Sequence, residues 1–277
     1  MSLHRDRLFD LTGQTALVTG ASGFLGRTLC ETLLTNGARV MAVGRSASLL
    51  EQCDEWALRF GDSMVVPCQI DLSDVDAFET FLGTLATMKV DVLVNNAFEM
   101  GSGCGFNVPE GDLDHISMGM LSRNMAGGVY WPVRLMQAVG GGMKERQTGV
   151  IINISSMYGL VAPSPLLYEG TSFMNPVGYS AAKAGMLALT RYAASFWGRD
   201  GIRVNAILPG PFSNVETVTE NSVLPESPFL DRLRERTALG RTGAAFELAG
   251  ALLFLSSDAS SFVTGHALVV DGGWTIT

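Results

Sequence analysis

The feature that most constrains this chain is an alternation. Short apolar runs, rich in β-branched residues, are separated by longer segments whose apolar residues recur at helical spacing. The runs fall at 15–19, 39–43, 63–66, 90–94, 149–154, 202–207 and 267–270. Helices are predicted over about 23–35, where Asn36-Gly37 closes the element, and over 46–59, 176–199 and 244–255. A further helix is entered through Asp71-Leu72-Ser73-Asp74, with Ser73 as its N-cap. Strands that are apolar on nearly every residue must be covered on both faces. The pattern therefore predicts an α/β fold, a doubly wound parallel sheet with helices on both sides. No internal repeat or shift of composition divides the chain, so residues 1–277 read as a single domain.

Composition narrows the possible partners. The net charge is −8, from 19 Lys plus Arg against 27 Asp plus Glu, which argues against a surface built to follow nucleic acid. Mean hydropathy is +0.25. Even so, no run of about 18 apolar residues marks a membrane span. The N-terminal Arg5, Asp6 and Arg7 are not followed by the apolar run of a secretion signal. Cys30, Cys53, Cys68 and Cys104 have no CxxC spacing, and His4, His115 and His266 lie far apart. Four reduced thiols, no metal site and a cytoplasmic location are the expectations.

Directly after the first run stands Thr19-Gly20-Ala21-Ser22-Gly23-Phe24-Leu25-Gly26. Glycines in a strand-turn-helix junction let backbone approach a pyrophosphate, and the helix start offers unpaired N–H groups to it. A turn with packing duties alone would show the same three glycines. The second run ends in Val43-Gly44-Arg45, so Gly44 occupies the place of the ribose-binding acid and Arg45 follows it. A guanidinium there suits a 2′-phosphate, which selects NADP(H) over NAD(H). A solvated arginine at a strand end is the plainer alternative.

Tyr179-Ser180-Ala181-Ala182-Lys183 places Tyr179 and Lys183 at i and i+4, on one helix face. An ammonium beside a phenol stabilises the phenolate and brings it toward a pKa useful in acid–base catalysis. An exposed helical Tyr-Lys pair would have the same spacing.

Taken together these motifs resemble the short-chain dehydrogenase/reductase family, in its compact single-domain, Rossmann-type branch. The resemblance runs through Thr19 to Gly26, Asp71-Leu72, Asn95-Asn96-Ala97, Asn124, Ile154-Ser155-Ser156, Tyr179 to Lys183, Ile202 to Gly210, and Val263-Thr264-Gly265 to Asp271-Gly272-Gly273. It implies an NAD(P)(H)-dependent oxidoreductase that interconverts an alcohol and a ketone. Tyr179 would be the acid/base, and Lys183 would bind the nicotinamide ribose and depress the tyrosine pKa. Ser156 would hydrogen-bond the substrate oxygen, and Asn124 would support a water in the proton relay. The cofactor would lie against Gly20, Ser22, Gly23, Leu25, Gly26 and Arg45. Asp71 and Leu72 would flank the adenine, Asn95 and Ala97 would line the cofactor, and Pro209-Gly210 would sit by the nicotinamide. A small-molecule substrate and a homodimer or homotetramer are further expectations of the resemblance.

Three departures stand out. Phe24 replaces a glycine of the compact branch, so the loop is similar to that of nucleotide-sugar epimerases and dehydratases. Only 67 residues follow Gly210, too few for the substrate domain those enzymes carry. Phe98 replaces the glycine that usually follows Asn95-Asn96-Ala97. Tyr179 stands 23 positions after Ser156, more than the family usually shows, and the surplus lies in 162–175. Substrate loops are expected at 98–112, 160–176 and 211–228. Tyr168, Glu169, Thr171, Ser172 and Asn175 suit a polar, sugar-like substrate, whereas Met157, Leu166, Phe173 and Met174 suit an apolar one. In the third loop Asn214 stands where a threonine often meets the carboxamide, and Pro225 and Pro228 mark an irregular path. An epimerase or dehydratase, and a non-catalytic dinucleotide-binding protein, are the competing functional readings.

Overall fold

The computed structural model describes residues 8–213 and 228–277. Asn214 and Pro225 lie outside the described residues. Among the described residues seven strands form one fully parallel sheet in the order β3-β2-β1-β4-β5-β6-β7. They are β1 (Thr15–Thr19), β2 (Arg39–Gly44), β3 (Val65–Gln69), β4 (Val92–Asn95), β5 (Gly149–Ile154), β6 (Ile202–Pro209) and β7 (Ala267–Val270).

Alternate side chains of each strand enter different cores, as a period of two demands. Ala16, Val18, Val40 and Ala42 pack with Leu29 and Leu33 of α1 (Phe24–Thr35), Trp56 of α2 (Ser48–Phe60) and Leu252 of α8 (Ala249–Ser256). Leu17, Met41 and Val43 face the other way. They meet Phe78 and Leu82 of α3 (Val75–Leu85), Leu135 and Met143 of α5 (Trp131–Arg146), and Ala193 of α6 (Val177–Trp197). Between α3 and α5 the chain forms α4 (Met118–Met125) and a π-helical turn, Ala126–Tyr130; α7 (Pro228–Arg236) precedes α8. Among the described residues no helix is long and apolar enough to cross a membrane.

Three local expectations shift. The third strand begins at Val65, not residue 63, because Asp62–Met64 forms a 3-10 turn. Its Pro67 is tolerated because β3 is an edge strand. Asp74, not Ser73, caps α3, accepting a hydrogen bond from the Ala77 N–H at 3.1 Å. Ser73 instead gives its N–H and hydroxyl to the Asp71 carboxylate. Over 244–255 a 3-10 turn, Ala245–Leu248, precedes α8.

The strand order reverses between β1 and β4. Connections leaving these two strands run to opposite sides, so a crevice opens at their C-terminal ends. Every candidate site residue except those on α1, α4 and α6 lies at or just beyond a strand end on that edge. Arg45 directly follows β2.

Candidate active site

The crevice is a cleft of about 490 Å³. One end is made by the glycine turn. Gly20 has φ +67°, and a Cβ there would lie 2.9 Å from Asn96 Nδ2 and 3.0 Å from Ala97 Cα. At Gly26 a Cβ would strike the Gly20 carbonyl. The turn is tied to the end of β4: Thr19 Oγ1 accepts from the N–H groups of Asn96 and Ala97 at 3.0 Å each, and Asn96 Nδ2 donates to the Thr19 carbonyl at 2.9 Å. Gly23 is the N-cap of α1, and no side chain caps that helix. Its first-turn N–H groups are therefore left for an anion at the cleft. A dinucleotide pyrophosphate fits this cradle, where a side chain at Gly20 or Gly26 would displace backbone.

Ser22, Leu25, Arg45, Asp71, Leu72, Ala97, Pro209 and Gly210 also line the cleft. Arg45 is 61% exposed at its side chain and stands 3.8 Å from Asp71, at the end remote from Tyr179.

The other end is built where β5 meets α6. Ser156 follows β5, Tyr179 lies in the first turn of α6 and Lys183 one turn on. Lys183 is buried, and its Nζ donates to the Ile154 carbonyl at 2.7 Å. Ser155 Oγ donates to the Lys183 carbonyl at 2.9 Å, which pins helix to strand. Burial pulls Lys183 down to about 7. Burial pushes Tyr179 up, and a hydrogen bond with Ser156 opposes that rise. The Lys183 Nζ, hydrogen-bonded to Ile154, lies 5.6 Å from the phenol ring centroid, and desolvation dominates the phenol.

Two expected residues do not line the cleft. Asn95 is buried and donates to Asn153 Oδ1 at 2.8 Å, so it locks β4 to β5. Asn124 is fully buried, with Nδ2 donating to the carbonyls of Cys104 (2.9 Å) and Met120 (2.8 Å). Its Oδ1 has no hydrogen-bond partner among the described residues. The π-helical turn begins two residues later, a distortion frequent at functional sites.

The family described as Enoyl-(Acyl carrier protein) reductase matches residues 20–275. The chain belongs to the short-chain dehydrogenase/reductase family. It is 35% identical over 272 residues to gluconate 5-dehydrogenase of Gluconobacter oxydans (strain 621H), covering 98% of each chain. Galactitol 2-dehydrogenase (L-tagatose-forming) of Cereibacter sphaeroides is 31% identical over 271 residues, 97% of this chain and 98% of that one. The crystal structure of a gluconate 5-dehydrogenase from Burkholderia cenocepacia J2315 in complex with NADP and tartrate has a TM-score of 0.80 at 30% identity, over 99% of this chain and 100% of the other. As a member of this short-chain family, the protein is an NAD(P)(H)-dependent oxidoreductase of alcohol and ketone groups.

Several residues escaped the motif reading of this short-chain dehydrogenase/reductase. Asn96 of the Asn95-Asn96-Ala97 motif, Phe98, Glu99 and Met100 of the loop expected at 98–112, and Phe212 of the loop expected at 211–228 line the cleft without having been singled out as site residues. Phe106 packs edge-on to Tyr179 with ring centroids 5.4 Å apart. Phe98 stands out in the sequence as a departure, and both it and Phe106 fall in the substrate loop expected at 98–112. The 162–175 insertion turns back on the site. Leu167 joins Met157, Tyr158 and Trp274 in a cluster against which Tyr168 and Tyr179 pack.

Proposed function

We propose that the protein interconverts a secondary alcohol and a ketone on a sugar, sugar acid or polyol, with NADP(H) preferred over NAD(H). The observation that carries this reading is the convergence of Ser156, Tyr179 and Lys183 at one end of a cleft whose other parts are the glycine turn and Arg45. When bound, the nicotinamide supplies or accepts the hydride. Tyr179 exchanges the proton with the substrate oxygen. Ser156, at hydrogen-bond reach of Tyr179, donates to the same oxygen as negative charge builds on it during reduction. Lys183 holds the nicotinamide ribose, and Asn124 supports the proton relay through its unpartnered Oδ1. Asn95 acts from behind the cleft wall. Sugar-acid and polyol dehydrogenases among the relatives support the substrate class, and NADP in a related structure supports the cofactor preference. A cytoplasmic homodimer or homotetramer completes the reading.

The test is turnover of a panel of polyols, aldonates and simple secondary alcohols with NADPH or NADP+ and with NADH or NAD+. Stoichiometric cofactor consumption on a sugar-class compound is expected; conversion without net consumption would indicate an epimerase. Tyr179→Phe should bind NADPH as the wild type does and lose kcat by at least about 100-fold, the usual scale of general acid–base catalysis. A Phe variant with wild-type kcat would remove Tyr179 from the mechanism.

A further inference from the structure

Lys183 is the most tightly enclosed charge in the site. It is 3% exposed, and burial works against its charge. Among the described residues the charged form is favoured by the Tyr179 ring, whose centroid lies 5.6 Å from Nζ, and by two nearer groups. One is the Ile154 carbonyl at 2.7 Å. The other is the face of Phe98, whose ring centroid lies 4.7 Å from Nζ, inside the range of roughly 6 Å over which an aromatic quadrupole attracts a cation. Phe98 is also the position at which this chain departs from the glycine of its family.

The ring is held by its surroundings. It meets Tyr179 edge-on at 5.1 Å and 84°, and Phe106 edge-on at 6.4 Å and 86°. Behind it lies Gly127 of the π-helical turn, where a Cβ would come within 3.2 Å of Phe98 Cδ2. The glycine leaves the ring its place, and the ring fixes the face that Lys183 sees.

The other ionisable groups around α6 are engaged elsewhere or exposed. On α6 itself the neighbour is Tyr179, 5.6 Å from Nζ to ring centroid. From the Met157–Gly159 turn comes Tyr158, which interacts with Tyr168 and packs on Trp274. From α4 comes Arg123, 3.8 Å from Glu99, and the π-helical turn carries the exposed Tyr130. On β6 Arg203 is bound to the carbonyls of Leu255 and Ser257. Among the described residues Lys183 has no ion pair.

We propose that Phe98 is a positioning residue that, through a cation–π contact, keeps the Lys183 ammonium charged and aimed in the active site. The inference concerns the protein without substrate or cofactor, so it stands or falls separately from the substrate reading.

The chain has three lysines, Lys89, Lys144 and Lys183. The ε-carbon signals of the 13C-lysine-labelled protein are therefore few, and the one missing from Lys183→Met assigns Lys183. Loss of the aromatic face removes support for the charged form, so the Lys183 titration midpoint should fall. In Phe98→Leu the expected fall is about half to one and a half pH units, while Phe98→Trp stays at the wild-type midpoint or above. A Leu variant that titrates at or above the wild type overturns the proposal, as does a Trp variant that follows the Leu variant. Should leucine prevent folding, ring-fluorinated phenylalanines at 98 keep the shape and weaken the face. A midpoint that falls with each added fluorine supports the role, and one that stays constant overturns it.

Discussion

Arg45 concentrates the cofactor question in one side chain. It follows β2 at the place where dinucleotide folds recognise the adenosine ribose, and Gly44 leaves no acid there to repel a phosphate. Asp71, 3.8 Å away, steadies the guanidinium without enclosing it. Charge-assisted hydrogen bonds contribute about 1.5–3 kcal/mol. Arg45→Ala should therefore weaken NADPH by roughly 10- to 100-fold in a fluorescence titration and leave NADH within about twofold. Equal losses for both dinucleotides would remove the case for a 2′-phosphate site. Such residues were legible because their chemistry is local: Gly20, Gly23 and Gly26 share one turn, and Tyr179 and Lys183 share one helix face. Asn95 and Asn124 mark the limit of that reading. A motif names a residue type at a position but not the side to which it turns, and both asparagines turn into the protein. Phe106 reaches Tyr179 from a loop with no periodicity of its own, so nothing in its neighbourhood announced the contact.

Among the elements, the insertion and α7 behave as one unit. Arg232 of α7 donates to the carbonyls of Leu167 (2.8 Å) and Glu169 (2.7 Å). Phe229 lies 5.4 Å from the Tyr168 ring and 6.4 Å from that of Phe173. The insertion thus depends on a helix some 60 residues further along the chain. Arg232→Ala removes both tethers while leaving the cofactor end untouched. Substrate KM is expected to rise roughly tenfold, the scale of one charge-assisted hydrogen bond, with NADPH affinity unchanged. Steady-state kinetics beside a cofactor titration checks this. Parallel loss of NADPH binding would mean that the tether supports the whole cleft and not its substrate end. The strands were the most legible elements, since apolar runs such as 149–154 have few other uses. The apolar spacing does not predict helix in the stretch from α4 through α5. Gly127-Gly128 and Gly140-Gly141-Gly142 interrupt its apolar spacing, and its one buried α4 residue is a polar asparagine. Tertiary packing on α3 and α6 overrides weak local preference there.

For the molecule as a whole, the parallel sheet places its functional side chains on one edge, and the acidic surface must be stable around it. Among the described residues Glu247 is a strongly depressed carboxylate. The paired hydrogen bonds from the Arg241 guanidinium lower it most, partial burial opposes them, and the Ala244 N–H lowers it further, to about 2. The contact closes the segment between α7 and α8, ahead of the helix that covers one face of the sheet. A carboxylate depressed by folding contributes stability above its unfolded pKa, near 4.5. That contribution is lost as pH falls toward the folded value of about 2. Side-chain exposures of 49% for Arg241 and 29% for Glu247 keep it small, at most about 1 kcal/mol. Glu247→Gln retains an oxygen for the Ala244 N–H and removes only the charge. Urea unfolding should therefore show the variant less stable than the wild type at pH 7, with a gap that narrows between pH 4.5 and pH 3. A gap that stays constant across that window would assign the loss to packing, not to the ionised pair.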